Sequence, residues 1–164
     1  MYKNRVKVSS NMQNARHQGV KYMITNRVIG GSFIFGEQEK GHFLQLLFQG
    51  QYRHSFHIID YVLMDNHYHC ILEIPEPSLM SREEVFKRWR MTRREKTPND
   101  PGDEIIERYR NKIHDISFVV ANVEQRFVQL YNRKKGRLGS LFNRFDSVII
   151  GDSKALAAMM VYIT

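Results

Sequence analysis

The chain has 164 residues, of which 42% are hydrophobic, enough for one globular domain with a buried core. Lysine and arginine number 25 against 17 acidic residues, and this net charge of +8 favours an anionic partner, most often nucleic acid, over a merely basic protein. The single cysteine, Cys70, excludes an intrachain disulfide and the cysteine-rich zinc modules, so we expect a protein of the reducing cytoplasm. No stretch approaches the roughly 18 apolar residues of a membrane helix.

The first third of the chain predicts an arm, a strand and a helix, in that order. Residues 1–19 are polar throughout and predict a flexible arm with no signal peptide. Residues 20–30, VKYMITNRVIG, are rich in β-branched and aromatic side chains and predict a strand closed by Gly30 and Gly31. Residues 37–49 predict a helix with acids in its first turn. Its apolar stripe is Phe43, Leu46, Leu47 and Gly50.

Two apolar runs, at residues 56–64 and 67–74, are joined by Asp-Asn and predict an antiparallel hairpin. The second run, HYHCILEI, begins with two histidines. Because successive strand side chains alternate faces, His67 and His69 point the same way and could share one metal ion, for which imidazole is a common ligand. Packing histidines are the alternative, since an H-x-H pair arises readily by chance in a chain with seven histidines. Cys70 should face the opposite side, as a core residue.

Residues 76–114 are rich in charges of both signs and predict a helical insertion over the core. Ser81 and Glu84 form a capping box that opens a charged helix over 81–96, with Trp89 as the expected anchor, and the loop 97–103 ends it.

The last third predicts a long helix, a strand and a final helix. The long helix has one apolar stripe, formed by Ile116, Val120, Val123, Phe127, Leu130 and Tyr131. Residues 144–150, RFDSVII, predict a fourth strand, and Asp152 caps a helix over 153–164. With the insertion set aside, the order βαββαβ predicts an α+β, ferredoxin-like fold: a four-stranded antiparallel sheet with helices on one face, plus an extra C-terminal helix.

Two strings resemble a known family. YVLMDNHYHCILEIPEP resembles the signature of the HUH-type single-strand DNA transposases, in which two histidines flank a large apolar residue, here Tyr68. FVVANVEQRFVQLYNRKKGRLGSLFNRFDSVIIGD is similar to the REP-associated tyrosine transposases. The resemblance runs from about Tyr22 to the C-terminus and is weakest in the insertion. It implies one transposase domain over residues 20–164 of a bacterial, nucleoid-associated protein.

The resemblance implies an enzyme that cuts and rejoins single-stranded DNA next to palindromic hairpins. His67 and His69 would hold a divalent cation, Mg²⁺ or Mn²⁺, and Tyr162 would attack a DNA phosphate to give a 5′-phosphotyrosine and a free 3′-OH. Tyr131 is a rival nucleophile, although it falls on an apolar stripe and is better explained as core. Glu73, on the histidine face, could support the site from behind or be a solvated carboxylate.

The final helix offers a suitable place for a nucleophile. Tyr162 lies beside its apolar stripe, at about 110° from the centre, although a half-buried boundary tyrosine is the alternative. The stripe is Leu156, Met159, Met160 and Ile163. The resemblance also implies a third metal ligand, Asn, His or Gln, four residues after the tyrosine, which falls two residues past Thr164. Without it we expect weak Mg²⁺ binding. The final helix is short, about 12 residues, and is docked by only four large apolar side chains, so we also expect it to be weakly held, with Tyr162 displaced from the histidines.

The densest basic run combines cations with aromatic residues, which suits phosphate contacts and base stacking on single-stranded or hairpin DNA. It consists of Arg133, Lys134, Lys135, Arg137 and Arg144, interleaved with Tyr131 and Phe142. A solvated loop is the alternative. A second candidate, partly neutralised by acids, is the group Arg88, Arg90, Arg93 and Arg94 around Trp89.

Two other functions stay open. One is a domesticated binder that recognises DNA hairpins without cutting. The other is a ferredoxin-like RNA-binding module with structural histidines, which should carry exposed aromatic residues on its sheet. No membrane partner is expected, and a homodimer is an open alternative to a monomer.

Overall fold

The computed structural model describes residues 19–92 and 99–163. The strands are β1 (Val20–Arg27), β2 (His57–Leu63), β3 (His67–Ile74) and β4 (Asp146–Ile150), and the helices are α1 (Glu37–Arg53), α2 (Arg82–Met91), α3 (Asp103–Ile113), α4 (Ile116–Lys135) and α5 (Ser153–Ile163). All but the last residue of the predicted arm, 1–19, lies outside the described residues. No helix within the described ranges is long and apolar enough to cross a membrane.

The four strands form one sheet in the order β2-β3-β1-β4, and every neighbouring pair is antiparallel. This is the predicted α+β, ferredoxin-like arrangement. The predicted hairpin joins β2 to β3 through residues 64–66, and the backbone N–H of Met64 donates to the carbonyl of His67 at 2.9 Å. The histidine strand is therefore central, with a neighbour on each side.

One face of the sheet packs against α1 and α4 and holds the main core. The two helices approach closely at Gly50, where an added Cβ would lie 3.0 Å from the Phe56 ring and 3.3 Å from Val123. The predicted stripe of α4 is nearly right. Leu130, which was included, is 37% exposed, and Val119, which was not included, is fully buried.

The opposite face of the sheet carries α5. A smaller apolar cluster joins this helix to all four strands, with Ile163 buried at its end. Its buried members are Met23, Ile71, Ile150 and Ile163, and its half-buried members are Ile59, Val62, Ala155, Leu156 and Met159. The predicted stripe of α5 holds except at Met160, which is 36% exposed. At the other end the predicted cap is confirmed, because the N–H of Ala155 donates to Asp152 Oδ1 at 2.7 Å.

Helices α2 and α3 form a third cluster beside the main core. Trp89 is buried there against Val85 and Ile106, so it joins α2 to α3 in a cluster separate from the main core that the insertion was expected to cover. The predicted Ser81 cap is also present, since its hydroxyl accepts from the N–H of Glu84 at 3.2 Å. Helix α3 was not predicted, and α2 ends at Met91, earlier than expected. Residues 93–98 lie outside the described residues.

Candidate functional site

The two histidines open β3 and lie side by side. Their ring centroids are 5.2 Å apart, with the ring planes at 88°. They share the face of α5, whereas Tyr68 and Cys70 point into the main core. The predicted common face at the start of a central strand is therefore confirmed.

Both histidines are oriented through Nδ1. In His67 this atom lies 2.7 Å from Asn66 Oδ1, and since an amide oxygen only accepts, His67 Nδ1 carries the proton. In His69 it lies 2.8 Å from Thr25 Oγ1. Within residues 19–92 and 99–163, neither Nε2 atom forms a hydrogen bond. Histidines that bind a metal through one ring nitrogen are commonly held in this way through the other.

The surroundings keep both rings neutral. Partial burial lowers the pKa of His67, and the positive charge of Arg27 lowers it further. Burial likewise lowers the pKa of His69, with additional contributions from His67 and Arg27. A pKa lowered from 6.5 leaves the imidazole uncharged at neutral pH, which is the form that binds a metal.

The donor set fits a divalent cation only in part. Two imidazole nitrogens suit Mn²⁺ or a softer ion well, and Mg²⁺ less well because it prefers oxygen. The described residues contain no group of three or more His, Cys, Asp or Glu side chains that could hold a metal. Oxygen ligands from outside the protein would have to complete the shell, and the expected third protein ligand stays a prediction.

Tyr162 lies beside the histidines. Its ring centroid is 6.1 Å from that of His69, edge-on at 84°, and its side chain is 71% exposed. The prediction that Tyr162 is displaced from the histidines is therefore wrong. Its neighbour Ile163 is 5% exposed and fixes the end of α5 on the sheet, so the helix holds the tyrosine over His69.

The other two expected participants lie elsewhere. Tyr131 packs its ring 6.0 Å from Phe127, in the core on the opposite side of the sheet from the histidines. Glu73 shares the histidine face but lies four residues beyond His69, about 13 Å along the strand. The buried side chain of Ile71 stands between them, and Glu73 pairs with Lys21 at 3.2 Å. The expected supporting role of Glu73 is not favoured by this placement.

The basic run divides into cations that contact a described polar or acidic side chain and cations that form no ion pair with the described residues. Lys134 lies 2.7 Å from Gln38 Oε1 and 3.7 Å from Glu39, and Lys135 lies 3.8 Å from the same Glu39 carboxylate. Arg133, Arg137 and Arg144 form no ion pair with any described residue. Arg137 lines a cavity of about 340 Å³ together with Tyr131. The three arginines are the better candidates for phosphate contacts.

In the second basic group, around Trp89, Arg88 forms hydrogen bonds within the protein. One guanidinium nitrogen of Arg88 donates to the carbonyls of Gln51 and His54, each at 2.7 Å, and its Nε donates to Glu84. Trp89 is buried, and Arg93 and Arg94 lie outside the described residues. Arg88 therefore ties α2 to the end of α1, and Trp89 packs in the cluster between α2 and α3; neither is free to face a ligand.

The loop after α4 is attached to the histidine end of the sheet. The N–H of Asn143 donates to the carbonyl of Arg27 at 3.1 Å, and Phe142 forms a bridge with Val28. Arg27 is paired with His67 in the β1–β3 register. Arg137 and Arg144 of this loop and the histidines thus belong to one end of the molecule.

A buried carboxylate on α4, Glu124, contacts β1 and β3 from the main-core side of the sheet, and the sequence analysis did not identify it. Glu124 Oε1 accepts from the Tyr68 hydroxyl and from Asn26 Nδ2, both at 2.6 Å. Burial raises the pKa of Glu124, while these two hydrogen bonds oppose the rise. The available signal was a lone acid among the apolar positions of α4, four residues after Val120 and three before Phe127.

Thr25 and Arg27 were missed as well. Both lie on β1, face the histidines and are paired with His69 and His67 respectively. Strand alternation placed them on one face, but only the pairing register showed which face it was.

The fold has a solved relative. The structure of a REP-associated tyrosine transposase bound to a REP hairpin superposes with a TM-score of 0.54 at 15% sequence identity, over 99% of this chain and 70% of that chain. No protein-family model matches the sequence, and a comparison with curated proteins gives no match. At this level of identity the likeness shows a common fold.

Proposed function

We propose that this protein is a metal-dependent single-strand DNA transposase or nuclease that cuts and rejoins DNA beside a hairpin, with Tyr162 as the nucleophile. The observation that carries the proposal is the placement of Tyr162 beside His69 and His67 on one face of the sheet. The fold shared with a hairpin-bound tyrosine transposase supports it.

The chemistry follows from these side chains. A divalent cation, when bound, would polarise the scissile phosphate and offset its negative charge. His67 and His69 would hold it through Nε2, with Asn66 and Thr25 fixing the two rings. Tyr162 is exposed enough to meet a strand laid across this face.

The reaction is a transfer of the DNA phosphate to the phenol. The Tyr162 oxygen forms a bond to phosphorus and loses its proton, and the bond from phosphorus to the 3′ oxygen breaks. The 3′ oxygen leaves with the electron pair and gains a proton, giving a 5′-phosphotyrosine and a free 3′-OH. The reverse attack rejoins DNA without ATP, because the phosphotyrosine conserves the phosphodiester.

A covalent adduct tests the proposal directly. Full-length protein incubated with a labelled hairpin oligonucleotide and Mn²⁺ or Mg²⁺ should give a protein–DNA adduct that survives denaturing electrophoresis. Tyr162→Phe should abolish the adduct and leave hairpin affinity within about twofold, since the change removes one exposed hydroxyl. Tyr131→Phe is the matched control and should keep the adduct. An adduct that survives Tyr162→Phe would contradict the assignment.

A non-cleaving hairpin binder is the second candidate. The observation that favours it is the absence, among the described residues, of a metal-binding group larger than the two histidines. It predicts tight hairpin binding with no adduct under any metal. An RNA-binding sheet is less favoured, because Tyr22 and Tyr68 of the central strands are buried.

A further inference from the structure

Arg27 is an exposed cation on the histidine face. It ends β1 and stands directly opposite His67 in the antiparallel register. Side chains at such opposed positions share a face of the sheet, with their Cβ atoms about 4.5–5.5 Å apart. The guanidinium therefore projects from the same surface as both imidazoles and the Tyr162 ring.

The backbone of Arg27 is fixed, whereas its side chain forms no ion pair or hydrogen bond with any described residue. Its N–H donates to Asn26 Oδ1 at 2.8 Å, and its carbonyl accepts from Asn143 N at 3.1 Å and from Asn143 Nδ2 at 3.3 Å. The guanidinium makes no ion pair with any residue in the described ranges. Lys21, on the same face of the same strand, is instead neutralised by Glu73 at 3.2 Å.

The charge of Arg27 lies close to both histidines, since Arg27 directly opposes His67 and His69 follows two residues along the same face. The same charge repels a bare divalent cation that approaches the two Nε2 atoms. A cation beside two metal-binding imidazoles is therefore unfavourable unless an anion lies between them. A DNA phosphate is such an anion, and the planar guanidinium matches the geometry of its oxygens.

We propose that Arg27 binds a non-bridging oxygen of the phosphate that enters the histidine face, and that DNA and the divalent cation consequently bind there cooperatively. The inference rests on the proposed function in one respect, that a DNA strand crosses this face. It adds a residue that contacts substrate and a coupling between two ligands.

Manganese affinity measured with and without DNA tests the coupling. Mn²⁺ binding is followed by electron paramagnetic resonance on the full-length protein, alone and saturated with an unlabelled single-stranded oligonucleotide. For the wild type, the oligonucleotide should tighten Mn²⁺ binding about tenfold or more, within the usual range of coupling between two ligands. In Arg27→Gln, bare Mn²⁺ should bind more tightly, and the DNA-dependent gain should fall to about threefold or less.

Two variants separate this role from general charge effects. Lys21→Gln makes the same change of charge on the same strand and face and should behave as wild type, because Lys21 lies opposite Glu73, about 13 Å along the sheet from His69, where solvent and salt screen the charge. Arg27→Lys keeps the charge without the planar fork and should restore part of the coupling. Urea midpoints close to wild type would show that each variant folds.

The outcomes distinguish the inference from the proposed function. An equal DNA-dependent gain in wild type and Arg27→Gln, or no Mn²⁺ binding by the wild type in either state, would overturn the role of Arg27. A gain that Arg27→Gln loses, in a protein that forms no covalent adduct, would keep the role of Arg27 and reject cleavage.

Discussion

Removing the Tyr68 hydroxyl should destabilise the protein while leaving the shape of its core intact. In Tyr68→Phe the ring stays in place, but Glu124 loses a donor that lies 2.6 Å away in a site where Tyr68 is 2% exposed. A hydrogen bond to a charged group contributes about 1.5–3 kcal/mol to stability. The lower end applies if Glu124 is partly protonated, since burial raises its pKa. For a chain of this length the melting temperature should fall by about 3–12 °C.

Urea unfolding monitored by circular dichroism at pH 7 measures the loss. Tyr61→Phe is the matched control, because Tyr61 is 38% exposed and its hydroxyl has no hydrogen-bond partner among residues 19–92 and 99–163. It should stay within about 0.5 kcal/mol of wild type. A double-mutant cycle with Glu124→Gln should give a coupling of about 0.5–3 kcal/mol, because the two groups are in contact.

The reasoning fails if Tyr68→Phe costs less than about 0.5 kcal/mol, the loss expected at an ordinary surface position. It also fails if the free energies of the two single variants add without coupling. Either result would mean that the hydroxyl–carboxylate contact does not hold the histidine strand to α4.

Arg137→Ala should reduce the slope of log hairpin affinity against log salt by about 0.7–0.9. Lys134→Ala should reduce the slope less, because the Lys134 ammonium already lies 2.7 Å from Gln38 Oε1. Equal reductions would show that Lys134 also contacts DNA. His54 is buried and its pKa is lowered from 6.5, so the unfolded chain takes up a proton that the folded one resists, and the free energy of unfolding should fall as pH drops below about 6.5. Urea curves at pH 7.5 and 5.5 measure this fall, and His54→Asn should shrink it; an undiminished fall would assign it to other groups. Ile163→Ala removes a side chain that is 5% exposed and should weaken the docking of α5 on the sheet by about 2 kcal/mol. Amide exchange in α5 should become faster, and the adduct yield should fall at unchanged hairpin affinity. Unaltered exchange would refute this account of the docking.

Local patterns were sufficient for the elements that carry the site. Turn chemistry placed the hairpin, because Asp65 and Asn66 separate two apolar runs. Alternation along β3 put His67 and His69 on one face, and this needs only the period of a strand. The Asp152 cap of α5 is likewise a short-range interaction, which a sequence shows directly.

The rest depended on contacts between distant parts of the chain. Glu73 shares the face of the histidines about 13 Å along the strand, but its pairing with Lys21 depends on the register of β1 against β3. The partners Thr25 and Arg27 follow from the register of β1 against β3, which no local pattern specifies. Tyr162 was expected to be displaced because a short helix is marginal alone, yet the α5 face of the sheet supplies the apolar surface that holds it.

The alternation of β3 also links correct folding to the presence of the site. Successive residues of HYHCIL serve opposite sides, so that His67 and His69 face α5 while Tyr68 and Cys70 fill the main core. A slip of β3 by one residue against its neighbours would expose the tyrosine and the cysteine and bury both imidazoles without partners. Such a molecule would lose its core and its reactive face together. Substitutions that weaken the core should therefore reduce the number of competent molecules, and each molecule that folds should retain the full histidine pair.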